Sequence, residues 1–83
     1  MVDRENARLV VYSREGCGLC DEMIAELATW LAGRSLSAEV RDVDSDPGLR
    51  ERYGLKVPVL AVDGQPVCSG RLDTELLEDL LRS

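Results

Sequence analysis

Eighty-three residues are enough for one modest hydrophobic core and too few for two. The net charge is −6, Lys56 is the only lysine, and the arginines are dispersed among acids, so the chain lacks the basic stripe that nucleic-acid binding requires. No stretch approaches the roughly 20 apolar residues of a membrane span, and Met1 to Arg8 has no apolar core of the kind a secretory signal carries. The expected setting is the cytoplasm, where thiols stay reduced.

Residues 1–8 read as a flexible, solvated leader and residues 9–83 as one domain. Leu9-Val10-Val11-Tyr12 is a short apolar run with β-branched residues, suited to a central strand buried on both faces. From Cys20 the period turns helical. Met23, Leu27, Trp30 and Leu31 share one face with Ile24 beside them, and Asp21, Glu22 and Glu26 occupy the first turns. Gly33 is the expected stop. Leu36, Ala38 and Val40 alternate with polar residues, which predicts a half-buried strand. Asp46-Pro47 predicts a helix start, with Asp46 as cap and Pro47 at the first helical position. Leu49 and Tyr53 lie on this short helix, and Gly54 should end it.

Val59-Leu60-Ala61-Val62 predicts a third strand, and Asp63-Gly64 a hairpin turn. A fourth strand follows around Pro66-Val67-Cys68, at an edge because proline cannot donate to a ladder. Asp73 can cap a last helix whose buried stripe is Leu76, Leu77, Leu80 and Leu81, with a staple between Leu72 and Leu77. The first half is thus a βαβ unit with parallel strands, and the second a hairpin followed by a helix.

Cys17-Gly18-Leu19-Cys20 follows the first strand and opens the first helix. A bridge between these cysteines would close too short a loop to staple a fold, so their purpose is chemical. The position suits one thiol that attacks and one that resolves. Cys17 would sit at the helix N-terminus, where unpaired N–H groups favour a thiolate. Arg14 would add positive charge if near, and Asp21 and Glu22 would oppose it. Cys20, one turn along, would be more buried and would resolve. With no histidine in the chain, a Cys-His hydrolase is excluded.

Two other readings stay open. One is an iron–sulfur or metal carrier using Cys17 from two chains, since a zinc site needs four ligands and three cysteines do not supply them. The other is a redox-inert interaction module. Cys68 reads as a strand residue and Trp30 as core. The acids of residues 42–46 lack the glycine and distal glutamate of a calcium loop and read as a solvated turn and cap. Residues 50–52 read as an exposed helix face.

Residues 12–20, Tyr-Ser-Arg-Glu-Gly-Cys-Gly-Leu-Cys, resemble the active-site segment of glutaredoxins. Val57-Pro58, followed by an apolar strand and Asp63-Gly64, resembles the same family further on, and Tyr53 to Leu60 is also similar to thioredoxins. The resemblance spans nearly all of the chain after residue 8 and is nearest to small bacterial glutaredoxin-like proteins. It implies an α/β thioredoxin fold: β-α-β-α-β-β-α, with a four-stranded mixed sheet in the order 2-1-3-4 and three helices on its two faces. It implies a cis Pro58 facing the cysteines, with the Val57 backbone pairing with substrate. It implies Cys17 as nucleophile, Cys20 as resolving thiol, and Arg14, Gly18, Leu19, Val57, Pro58, Ser69, Gly70 and Asp73 as substrate-binding residues.

The implied activity is thiol–disulfide exchange in electron transport, reducing protein or glutathione mixed disulfides. Glutathione would be a co-substrate, with no bound cofactor and no metal. The expected partners are a disulfide-containing protein and a reductant system, with the chain a monomer. The chain departs from the family in having Gly18-Leu19 where Pro-Tyr is usual and Lys56 where threonine is common. The segment Ser69-Gly70, followed by Asp73, is one residue out of the usual register.

Overall fold

In the computed structural model, which describes residues 7–81, the chain runs through four strands and three α-helices. These are β1 (Leu9–Ser13), α1 (Gly18–Leu31), β2 (Ala38–Asp42), α2 (Pro47–Tyr53), β3 (Val59–Val62), β4 (Gln65–Ser69) and α3 (Thr74–Leu81). A 3-10 turn, Val43–Ser45, links β2 to α2. The strands form one mixed sheet in the order β2-β1-β3-β4. β1 runs parallel to β2 and antiparallel to β3, and β3 pairs antiparallel with β4.

Period-two alternation sends neighbouring side chains to opposite faces. On one face Leu9, Val11, Leu60 and Val62 pack with Met23 and Leu27 of α1 and Leu77 and Leu81 of α3. On the other, Val59 packs with Val43 and Tyr53, and Tyr12, Leu49 and Val57 adjoin them. The rings of Tyr12 and Tyr53 stack with centroids 4.5 Å apart. Trp30 is half-buried against the first cluster, and its indole N–H donates to Glu78 at 3.1 Å.

The local signals act as their chemistry requires. Asp46 accepts the Gly48 N–H at 2.8 Å and starts α2, with Pro47 behind it. Asp63 (φ 50°) and Gly64 (φ 85°) both enter the left-handed region that the two-residue turn between β3 and β4 demands. Leu72 and Leu77 are both buried in one cluster across the start of α3. Pro66 lies in edge strand β4, and the ladder slips there: Leu60 faces Cys68 but Ala61 faces Pro66.

Three local expectations change. β2 is the other edge strand and is mostly exposed. Only Ala38 of its residues packs on the core, while Val40 is 50% exposed. Gly54 does end α2, but in a right-handed conformation. A Cβ there would collide with the Arg50 carbonyl, so close approach selects the glycine. The leader expected over residues 1–8 does not extend to its last two residues. Ala7 is buried in the first cluster, and Arg8 exchanges hydrogen bonds with Asp63, both 2.9 Å. The remainder of that leader, residues 1–6, lies outside the described residues.

Candidate active site

The strand register gathers the site at one end of the sheet. Ser13 pairs with Asp42, Tyr12 with Val59, and Val59 with Ser69. The ends of β1, β2 and β4 therefore meet the start of β3. The loop to Cys17, the acidic turn, Val57-Pro58 and Gly70 all leave from that edge.

Cys17 is the N-cap residue of α1, in extended conformation, and is partly exposed. Its Sγ accepts the Cys20 backbone N–H at 3.1 Å. Sulfur here replaces the hydroxyl or carboxylate oxygen that usually fills a cap. Cys20 is one turn on, and only 1% of its surface is exposed. Burial, then the hydrogen bond with Cys17, pushes its thiol up to about 11, against a downward pull from the Arg14 backbone N–H. The pair is therefore asymmetric: an accessible sulfur with a donor aimed at it, and a sheltered thiol that holds its proton. Both are free thiols.

That asymmetry has a consequence for stability. The folded state holds the Cys20 proton more tightly than the unfolded value of 9.0. The contribution is present in full below pH 9 and is lost as pH rises toward 11. Reduced wild type should thus lose more stability across that range than Cys20→Ala, which cannot ionise there. Thermal unfolding followed by circular dichroism under reducing conditions measures both, and parallel losses would contradict the assignment.

The structure places Arg14 differently from a free cation beside the thiols. Its Nε and Nη2 donate to the two carboxylate oxygens of Asp44 at 3.0 and 3.1 Å, and its Nη1 donates to the Gly54 carbonyl at 3.1 Å. Arg50 also pairs with Asp44 at 3.3 Å. Through this hydrogen bond Arg14 lowers the pKa of Asp44, and Asp44 raises that of Arg14. The charge of Arg14 is thus largely answered before any ligand arrives.

The Val57–Pro58 peptide bond is cis, and Pro58 is buried. Two hydrogen bonds pin it from β4. The Ser69 hydroxyl donates to the Lys56 carbonyl at 2.9 Å, and the Gly70 N–H donates to the Pro58 carbonyl at 2.8 Å. Neither peptide group of Val57 has a hydrogen-bond partner among the described residues. Asp73 accepts the Leu76 N–H at 3.0 Å and caps α3.

Leu19 is 57% exposed and borders a groove of about 260 Å³ with Glu22, Met23, Glu26, Gly70, Arg71 and Leu72. A second groove lies by Arg14, Arg50 and Gly54, with Leu55 fully exposed at its rim. Gly18 and Leu19 thus stand on the α1 side of the site, and Val57 and Pro58 on the sheet edge.

The sequence pattern does not point to Asp44, Glu26 or Arg71 as site neighbours. For Asp44 the signal is the parallel pairing of β1 with β2, which sets the residues after Ser13 beside those after Asp42. Cys68, the expected strand residue, lies in the core, and burial raises its thiol pKa. No group of three or more cysteine or acidic side chains that could hold a metal ion occurs among the described residues. No helix among them is long and apolar enough to cross a membrane.

A sheet in this order, with the first cysteine of a C-x-x-C pair capping its first helix, defines a thioredoxin-fold protein. Residues 8–82 match the Glutaredoxin-like domain (DUF836), and the chain belongs to that family. It is similar to protein Ne2328 from Nitrosomonas europaea, at 36% identity and a TM-score of 0.80, with 90% of this chain and 91% of that one covered. Protein XcR50 from X. campestris gives 33% identity and a TM-score of 0.70 over 88% and 93%. A thioredoxin variant from Halobacterium salinarum gives 28% and 0.62 over 92% and 72%. No curated protein matches the sequence. The family and the adjacent Cys17 and Cys20 support a thiol redox role and redox partners in general.

Proposed function

We propose that the protein is a thiol–disulfide oxidoreductase in which Cys17 attacks and Cys20 resolves. The observation that carries this is the asymmetry of the pair, an exposed capping sulfur beside a buried thiol held near 11. The Cys17 thiolate attacks one sulfur of a target disulfide, and the other sulfur leaves as thiolate. Cys20 gives up its proton and attacks Cys17 Sγ. The target's second thiolate departs, and Cys17 and Cys20 end as a disulfide. Two electrons have passed to the target, and an external dithiol or thiol pair must return them.

The open peptide groups of Val57 are offered to an extended substrate segment, with Gly18 and Leu19 on its other side. Arg14 acts as a strut rather than as an anion clamp, because Asp44 and Gly54 hold its guanidinium. Protein disulfides suit this site better than glutathione. The Ser69 hydroxyl, the Gly70 N–H and the Asp73 carboxylate, which would grip the glutathione end, already hold bonds inside the chain. The setting we assign is a reducing cytoplasm, with the chain working as a monomer.

The test uses Cys20→Ser and a neutral peptide joined to thionitrobenzoate through a disulfide. Cys17 should displace thionitrobenzoate and keep the peptide, giving one stable adduct that mass spectrometry maps to Cys17. Wild type should release the peptide and end two hydrogens lighter. An adduct mapped to Cys68, or none at all, would reverse the assignment.

A further inference from the structure

The groove beside Leu19 has a chemistry of its own. One wall is α1, with Glu22 and Glu26 a turn apart on either side of buried Met23, and the other is the turn from β4 to α3 through Gly70, Arg71 and Leu72. Glu22 and Glu26 are exposed, and neither forms an ion pair among the described residues. Arg71 is the only cation lining it among the described residues. Leu19, between the two cysteines in sequence, lines the groove at its α1 wall. Two unanswered carboxylates against one guanidinium, in a chain of net charge −6, repel an anion and attract a cation.

Accepting the redox reading above, we infer that this groove receives a basic protein segment flanking the target disulfide. Lysine or arginine side chains of the target reach Glu22 and Glu26, while an apolar residue covers Leu19. The same field works against glutathione, whose two carboxylates outnumber its one ammonium. Recognition of this kind acts mainly on the encounter rate and is screened by salt.

The experiment measures thionitrobenzoate release from three peptide disulfides that differ only in the residues flanking cysteine: two lysines, two serines or two glutamates. At low ionic strength, wild type should react with the lysine peptide about tenfold faster than with the serine peptide, and slowest with the glutamate peptide. The preference should shrink to about twofold in 0.5 M salt. Glu22→Gln/Glu26→Gln should show the same shrinkage at low salt, its lysine-peptide rate being read against its own serine-peptide rate.

Equal rates for all three peptides in wild type would overturn the docking proposal and leave the redox reading standing. So would a lysine preference that survives in the double variant. A wild type inert toward every peptide would overturn the redox reading and this inference with it.

Discussion

Replacing Cys17 with serine should lower the rate of exchange with a neutral peptide disulfide at pH 7 by roughly a thousandfold or more. A serine hydroxyl in that cap position still satisfies the Cys20 N–H, so the fold is spared while the proposed nucleophile is lost. Neither remaining thiol can take over. Cys20 is 1% exposed, and a pKa of about 11 leaves only about one molecule in ten thousand ionised at neutral pH. Cys68 lies in the core beside Leu60, with its own thiol raised by burial. Cys68→Ser, as a control, should leave the rate per folded molecule within about twofold of wild type. If Cys17→Ser kept a tenth of the rate, the order of attack would have to be redrawn, with a site opened by local unfolding at Cys20.

How far the chain announces this arrangement depends on the range of the interaction. Signals that act within a few residues are readable. Asp46-Pro47 starts α2, Asp63-Gly64 turns the hairpin, and the two cysteines fall where a strand hands over to a helix. Each is a backbone requirement met by an adjacent side chain. The sheet order and the cis Val57–Pro58 bond follow from the family resemblance rather than from the residues alone. What stays hidden is pairing between distant segments. Arg14 looks like a cation for the thiols until Asp44, thirty residues away, is brought beside it by the register of β1 with β2. Val40 alternates like a buried strand residue, yet the edge position of β2 leaves it half exposed. Ala7 and Arg8 look like solvated leader because nothing local says that the core will cover Ala7 or that Asp63 will meet Arg8. Alternation tells which face a residue shares. It does not tell whether a helix covers that face.

The distinction between covered and uncovered strand positions sets the second large effect. Leu60→Ala should destabilise the protein by about 3 kcal/mol, with a fall in melting temperature of roughly 15 °C. Leu60 is fully buried in β3, which pairs with β1 on one side and β4 on the other. Strands bonded on both sides cannot close in to fill the space, so most of the cavity persists under α1 and α3. A domain of this length has only about 4–12 kcal/mol of total stability, so the loss is a large fraction of it. Val40→Ala removes a similar kind of apolar side chain from edge strand β2 and should change stability by about 0.5 kcal/mol or less. Urea unfolding of both variants at 10 °C separates them. Comparable losses would mean that the edge strand is covered in solution by something the single chain does not supply. The link to activity lies in β3 itself. Val57-Pro58 enters it, and the Gly70 N–H is anchored to the Pro58 carbonyl at its first turn of ladder. Leu60→Ala should therefore leave the exchange rate per folded molecule close to wild type in the cold, then lose it steeply on warming as β3 and the Val57-Pro58 segment that enters it loosen.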